Sequence, residues 1–276
     1  MRAKIRYLDP DWRGRTERPR IASRETRRAN TRFYDVRIEN ARPLQERGEL
    51  DLDTSGFILA QHRTQVGDFR DPAEVRRTYY PGIRELIQRL TGASDLAVYG
   101  HVVRTEDSSS FDQAYARYVH CDFSEASGRD MSRRLMVEHG ICTEAETEHF
   151  YFAWYNTWQP IDREVQQNPL TLIDSRSLET EDVVEYMFGE PGLDGIASMP
   201  FYSSKHHHYY FPLMQTDELI VLKQLDSRPR RSSLCPHTSF DDTTARADAL
   251  RRRSIEVRLM CVFPRSPRDQ SPTASA

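Results

Sequence analysis

Residues His120-Cys121-Asp122 close a run with strand character, and side chains along a strand alternate between faces with period two. An imidazole and a carboxylate therefore share one face while Cys121 takes the other. A second histidine from a distant strand would complete two His and one carboxylate, the facial set that holds non-haem Fe(II) and leaves further positions open. His237, within Cys235-Pro236-His237-Thr238-Ser239-Phe240, is the best-placed third ligand. Downstream, Arg252-Arg253-Ser254 opens the last strand. An Arg-x-Ser pair on one face grips a carboxylate, because the guanidinium forks onto both oxygens and the hydroxyl adds a third bond. A distal His followed by Arg-x-Ser is the order that orients the far carboxylate of 2-oxoglutarate while its keto-acid end chelates iron. Arg258 projects to the same face and is the fallback for that role.

These residues need a strand-rich scaffold. Candidate strands are Arg32–Ile38, Gly56–Gln61, Leu96–Arg104, Phe111–Phe123, Phe150–Trp158, Leu170–Ile173, Phe201–Phe211, Glu218–Leu225, His237–Phe240 and Ser254–Phe263. Short strands at close intervals with polar turns indicate an antiparallel sandwich or barrel, not alternating βαβ units. Asp71-Pro72 opens a helix as an N-cap followed by Pro in the first turn. Val75, Tyr79, Ile83, Leu86, Ile87 and Leu90 give it an apolar stripe, Pro81 should kink it and Gly92 should end it. Asp130–His139 reads as a short helix closed by Gly140. The chain divides into an irregular Arg-rich arm (1–30), one domain with helical insertions (31–263) and a disordered Ser/Pro-rich tail (264–276).

With 276 residues, 38% hydrophobic and 29% charged, the chain is long enough for a core beneath a very polar surface. A net charge of −3 argues against nucleic acid or an anionic membrane as partner. The local exception is the arginine-rich run from Trp12 to Arg28, best read as a solvated, partly ordered arm. No apolar run reaches the roughly 18 residues of a membrane helix, and no secretory signal precedes the domain. Four scattered cysteines without a Cys-x-x-Cys pair fit reduced thiols in the cytoplasm.

From Gly56 to Phe263 the chain resembles the AsaB-type hydroxylase/desaturase family, Fe(II)/2-oxoglutarate oxygenase-like proteins of secondary metabolism that include the smaller component of the cephamycin 7-alpha-methoxylase system. The resemblance is carried by Gly56-Phe57-Ile58-Leu59, Arg77-Thr78-Tyr79-Tyr80-Pro81, Thr91-Gly92-Ala93-Ser94, His101-Val102-Val103-Arg104 and Val119-His120-Cys121-Asp122. It continues through Asn156-Thr157-Trp158-Gln159-Pro160, Tyr209-Tyr210-Phe211-Pro212, Lys223-Gln224-Leu225-Asp226-Ser227, His237 to Asp242 and Arg252 to Arg258. It implies a mainly β fold with flanking helices around a double-stranded β-helix (jelly-roll, cupin-like) core. It also implies Fe(II) at His120, Asp122 and His237, 2-oxoglutarate at Arg252 and Ser254, and O2 as oxidant. The expected activity is that of an Fe(II)/2-oxoglutarate-dependent dioxygenase that hydroxylates, desaturates or cyclises an amino acid or small natural-product intermediate. The family usually reads Asn-x-Trp-Arg-Pro; if that Arg meets substrate in relatives, Gln159 here implies a different or less anionic one.

Other residues have weaker claims. Arg104, Asn156, Tyr210 and Lys223 are polar groups in apolar strands and candidates for the cavity. Trp158 belongs to an aromatic run that suits sheet core and pocket wall. His206 aligns with a family histidine and is a pocket candidate, although His206-His207-His208 as a strand cannot converge on one metal. A non-catalytic accessory subunit of the same fold, assisting a partner tailoring enzyme, is the rival reading, and a homodimer is compatible with either.

Overall fold

A computed structural model describes residues 1–105, 116–189 and 195–266. Strands β1 (Arg2–Leu8), β2 (Thr31–Asn40), β3 (Phe57–Gln61), β4 (Asp95–Thr105), β5 (Phe150–Pro160) and β6 (Leu170–Ile173) are followed by β7 (Val183–Phe188), β8 (Gly195–Pro200), β9 (His208–Tyr210), β10 (Glu218–Asp226), β11 (His237–Ser239) and β12 (Arg253–Pro264). Helices are α1 (Arg24–Asn30), α2 (Arg42–Glu46), α3 (Pro72–Glu74), α4 (Tyr80–Thr91) and α5 (Glu125–Glu138). The major sheet has the order β3-β10-β5-β12-β4, the minor sheet β1-β2-β9-β6-β11, and β7-β8 form a separate hairpin. The two larger sheets face one another across Trp158, Ile220 and Leu222 of one and Leu170 and Leu172 of the other. The architecture is the expected one: mainly β, a jelly-roll core with flanking helices.

The alternation along β12 separates an apolar face from a polar one. Ile255, Val257, Leu259 and Cys261 pack against Val75, Tyr79, Ile83 and Ile87 beneath α4. Each such burial contributes roughly 1.5–3 kcal/mol. Arg252, Ser254 and Glu256 fall on the other parity and are nonetheless buried. A strand whose two faces are both buried, one apolar and one polar, has its polar face turned into the molecule.

Asp71 caps its helix as expected, its side chain accepting from the Ala73 amide, and Gly92 closes α4 at φ +68. The kink expected at Pro81 takes another form. Residues Val75–Tyr79 widen into a π-helical turn, with the Tyr80 amide bonded to the Val75 carbonyl, so the ring enters at the start of α4. Helix α5 starts earlier than expected because Ser124 makes a capping box with Ser127. The expected strand over Phe201–Phe211 shrinks to β9, and β7 and β8 were not anticipated. Part of the Phe111–Phe123 expectation and most of the tail lie outside the described residues.

The irregular arm is corrected as well. Residues Arg2–Leu8 form β1, paired antiparallel with β2 from Arg2↔Arg37 to Leu8↔Thr31. Ala3, Ile5 and Tyr7 alternate into a buried cluster with Val36, Ile38 and Ile173, while Arg2, Lys4 and Arg6 point outward. Tyr7 secures the strand: its hydroxyl lies 3.1 Å from His206 Nδ1 and 2.6 Å from His208 Nε2. Burial holds both imidazoles neutral, pushing His206 down to about 4 and His208 down to about 3. The unfolded chain, titrating near 6.5, then binds more protons than the folded one in this window, so stability falls as pH drops from 6.5 toward 4. Thermal melts between pH 7 and 4.5 should show that loss, and His208→Gln should flatten the slope.

Candidate metal and co-substrate site

His120 and His237 face each other as a hydrogen-bonded antiparallel pair. His120 N donates to the His237 carbonyl at 3.1 Å and His237 N to the His120 carbonyl at 2.9 Å. Directly opposed residues share a face, which brings the two imidazole centroids to 4.6 Å. Asp122 follows two residues on, and its Oδ1 lies 3.6 Å from His120 Nε2. One donor atom from each of His120, Asp122 and His237 lies within 4.8 Å of the others, the one such group among the described residues.

The electrostatics suit a divalent cation. His120 Nδ1–H donates to the Tyr118 carbonyl at 2.9 Å, which leaves Nε2 as the lone-pair atom facing Asp122. Burial, reinforced by His237, pulls the His120 imidazole down to about 4, and burial lowers His237 too. Both are therefore neutral at pH 7, the form that ligates. Burial alone would raise the Asp122 carboxyl, but Arg258, with the two histidines and Asn156, outweighs it and holds the carboxylate ionised. Two neutral imidazoles and one carboxylate are the donor set of a non-haem iron centre, so the residues present fit Fe(II).

Around Asp122 the strands supply three supports. Asn156 Nδ2 donates to Oδ2 at 2.5 Å, Arg258 Nε lies 3.0 Å from the same oxygen, and the Asp122 amide donates to Gln224 Oε1 at 2.9 Å. Gln224 reaches this position because the register of β10 against β5 shifts between Lys223 and Leu225, a bulge that re-aims the extra residue. Glu256, unnoticed in the sequence, accepts from Arg258 Nη2 at 2.8 Å. Its signal was available, since it shares parity with Ser254 and Arg258. The Ser254 hydroxyl and Asn156 Oδ1 are buried with no hydrogen-bond partner among the described residues, so both are able to bond a polar ligand.

Arg252 is 1% exposed; Nη1 donates to the Asn168 carbonyl at 2.5 Å and the guanidinium lies 5.0 Å from the Trp158 ring centroid. Trp158 lies opposite Glu256, so it shares the inner face, and Arg104 opposite Ser254 does likewise. The structure thus assembles His120, Asp122, His237, Asn156, Trp158, Ser254 and Arg258 on one face, with Arg252 beside Trp158.

Three candidates lie elsewhere. Lys223 pairs with Tyr155 on the outer face of the major sheet, where Nζ bonds Asp53 Oδ1 and Asp226 Oδ2, each at 2.7 Å. Lys223→Met would remove one cation from a cluster in which Arg228 still engages both carboxylates, so urea unfolding should show a loss of about 1.5–3 kcal/mol with metal affinity unchanged. Tyr210 sits on the outer face of the minor sheet, because its neighbour Tyr209 pairs with the inward Leu172, and it packs edge-on against Phe240. His206 belongs to the Tyr7 cluster already described. Gln159, opposite Ile255, also faces outward. Its carbonyl oxygen accepts from Tyr79 at 2.6 Å, and its amide donates to the His62 and Thr216 carbonyls at 2.8 and 2.6 Å. It closes a structural network away from the triad, so its identity says nothing about the charge of the substrate.

Residues 5–262 match the family model described as oxidoreductase/YMDC permease-like domain. Among characterised proteins, the chain is 30% identical over 231 residues to alpha-ketoglutarate-dependent dioxygenase phiK of a Fungal sp., covering 78% of this chain and 80% of that one. It is 27% identical over 236 residues to Fe(II)/2-oxoglutarate-dependent dioxygenase nvfI of Aspergillus novofumigatus, covering 82% of each. Hydroxylase/desaturase CTB9 of Cercospora beticola is 28% identical over 231 residues, covering 74% of this chain and 69% of that one. A solved structure of a variant of the iron and alpha-ketoglutarate-dependent endoperoxidase NvfI superposes with a TM-score of 0.84, 24% identity, and coverage of 96% of this chain and 98% of that one.

Proposed function

We infer that function follows family here: the chain belongs to the oxidoreductase/YMDC permease-like domain family and, with phiK as its relative, to the Fe(II)/2-oxoglutarate-dependent dioxygenases. It is an oxygenase of secondary metabolism that uses Fe(II), 2-oxoglutarate and O2 on a small-molecule substrate. Within that family we place it in the AsaB-type branch and assign the metal to His120, Asp122 and His237. The observation that carries the assignment is the convergence of two neutral imidazoles and an ionised carboxylate on one point of a buried face.

When bound, the iron together with 2-oxoglutarate and O2 supplies oxidation of an unactivated C–H bond, by hydroxylation, desaturation or cyclisation. The chain's part is placement. His120 and His237 present neutral nitrogens, each fixed by the backbone pairing of their strands. Asp122 presents one oxygen while Asn156 and Arg258 hold the other. Arg252 and the unpartnered Ser254 hydroxyl grip the far carboxylate of 2-oxoglutarate, and Trp158 walls this part of the pocket and stacks beside the guanidinium. Arg104, on the same face, is assigned to the pocket rim. His120 and His237 are themselves buried, which limits the access of water to their donor atoms.

The substrate we propose is an amino acid or a small natural-product intermediate, acted on by a cytoplasmic enzyme working alone, as a homodimer or beside a partner tailoring enzyme. Among the described residues no helix is long and apolar enough to cross a membrane. The test is succinate formation with O2 uptake, dependent on both Fe(II) and 2-oxoglutarate, in the presence of candidate substrates. Metal and 2-oxoglutarate binding without succinate under any of these conditions would favour the accessory-subunit reading.

A further inference from the structure

The geometry around Asp122 points to a role for Arg258 distinct from gripping 2-oxoglutarate, and it rests on the metal assignment just made. We propose that Arg258, with Asn156, is a positioning residue that pins Asp122 Oδ2 and so presents Oδ1 alone to the metal, while Glu256 anchors the arginine.

Four observations carry this. Asn156 Nδ2 and Arg258 Nε both reach Asp122 Oδ2, at 2.5 and 3.0 Å, while Oδ1 is the oxygen beside His120 Nε2 at 3.6 Å. Asn156 and Arg258 are directly opposed on β5 and β12, so the strand pairing itself places their donors side by side. The guanidinium is already committed to a second carboxylate: Nε and Nη2 lie 3.0 and 2.8 Å from Glu256 Oε1. Nε is thereby shared between the Asp122 and Glu256 carboxylates in a buried site, where charge-assisted bonds are strongest. Finally, Arg258 stands four residues beyond Ser254 on one strand face, about 13 Å at 3.3 Å per residue. The far end of the co-substrate therefore meets Arg252 and Ser254, and the metal end lies near Arg258. Engaging Oδ2 from two sides keeps the aspartate from chelating through both oxygens, which preserves an open coordination position. Arg258 also balances Glu256, whose charge would otherwise oppose a dianionic co-substrate on the same face.

The test separates metal affinity from co-substrate affinity. Anaerobic calorimetry with Mn(II) would be run on the full-length wild type, Arg258→Met, Arg258→Lys, Asn156→Ala and Arg252→Met, together with 2-oxoglutarate titrations at saturating metal. Arg258→Met and Asn156→Ala are expected to weaken Mn(II) binding about 10- to 100-fold, the usual effect of losing a partner that orients a ligand. Both should leave half-saturation by 2-oxoglutarate within about threefold of wild type. Arg258→Lys keeps a cation at Oδ2 and should recover most of the metal affinity, a rescue that a purely structural role would not produce. Arg252→Met should show the reverse pattern. Wild-type Mn(II) affinity in Arg258→Met, or a rise in 2-oxoglutarate demand matching that of Arg252→Met, overturns the proposal. If Arg258→Met does not fold, unchanged metal affinity in Asn156→Ala overturns it equally. A wild type that binds no metal is a different result, and it removes the metal assignment itself.

Discussion

His237→Ala is expected to abolish metal binding in the assay range, and with it every 2-oxoglutarate-dependent activity. Two donors would remain where three converge within 4.8 Å. Partners that merely orient a ligand are worth about 10- to 100-fold in affinity, so removing a ligand outright should exceed about 100-fold. The strand itself should survive, because the pairing of β11 with β6 and with His120 runs through backbone groups that alanine keeps. A near-wild-type melting temperature with no calorimetric Mn(II) signal is the expected combination. Retained binding would mean that the metal lies elsewhere.

Arg252→Ala is expected to leave the metal site occupied and to raise the 2-oxoglutarate requirement steeply. Truncating one partner of a buried charge pair costs about 2–5 kcal/mol, which corresponds to roughly 30- to 4,000-fold in half-saturation. Arg252→Lys should rescue little, since a point charge cannot reproduce the two-pronged grip of a guanidinium stacked beside Trp158. The same variant loses its bond to the Asn168 carbonyl, so urea unfolding should be measured alongside. A stability loss with an unchanged 2-oxoglutarate requirement would assign Arg252 to the scaffold.

The parts of this site visible in the sequence are those whose geometry follows from a local rule. His-x-Asp on a strand shares a face by parity alone, and Arg252 and Ser254 do so by the same rule. The helix from Asp71 to Gly92 announced its cap, its stripe and its end. What escaped depended on facts that parity cannot supply without an anchor. Gln159 was read as a clue to the charge of the substrate, yet an inward Trp158 already requires its neighbour to face outward. Lys223 looked like a cavity residue because it interrupts an apolar strand, but its carboxylate partners Asp53 and Asp226 lie on the opposite face. Gln224 reaches Asp122 through a bulge that no local pattern marks. Strand β1 was hidden among the charges of a segment read as an irregular arm, although Ala3, Ile5 and Tyr7 alternate between Arg2, Lys4 and Arg6. His206 failed for a related reason, since its partner Tyr7 sits in that overlooked strand.

The most direct test of the central claim is an anaerobic titration of the purified protein with Fe(II), with and without 2-oxoglutarate, recorded in the visible spectrum. The account predicts a weak charge-transfer band that appears only when metal and 2-oxoglutarate are both present, that is lost in His237→Ala, and that needs far more 2-oxoglutarate in Arg252→Ala. The absence of any such band in the wild-type protein at saturating Fe(II) and 2-oxoglutarate would contradict it.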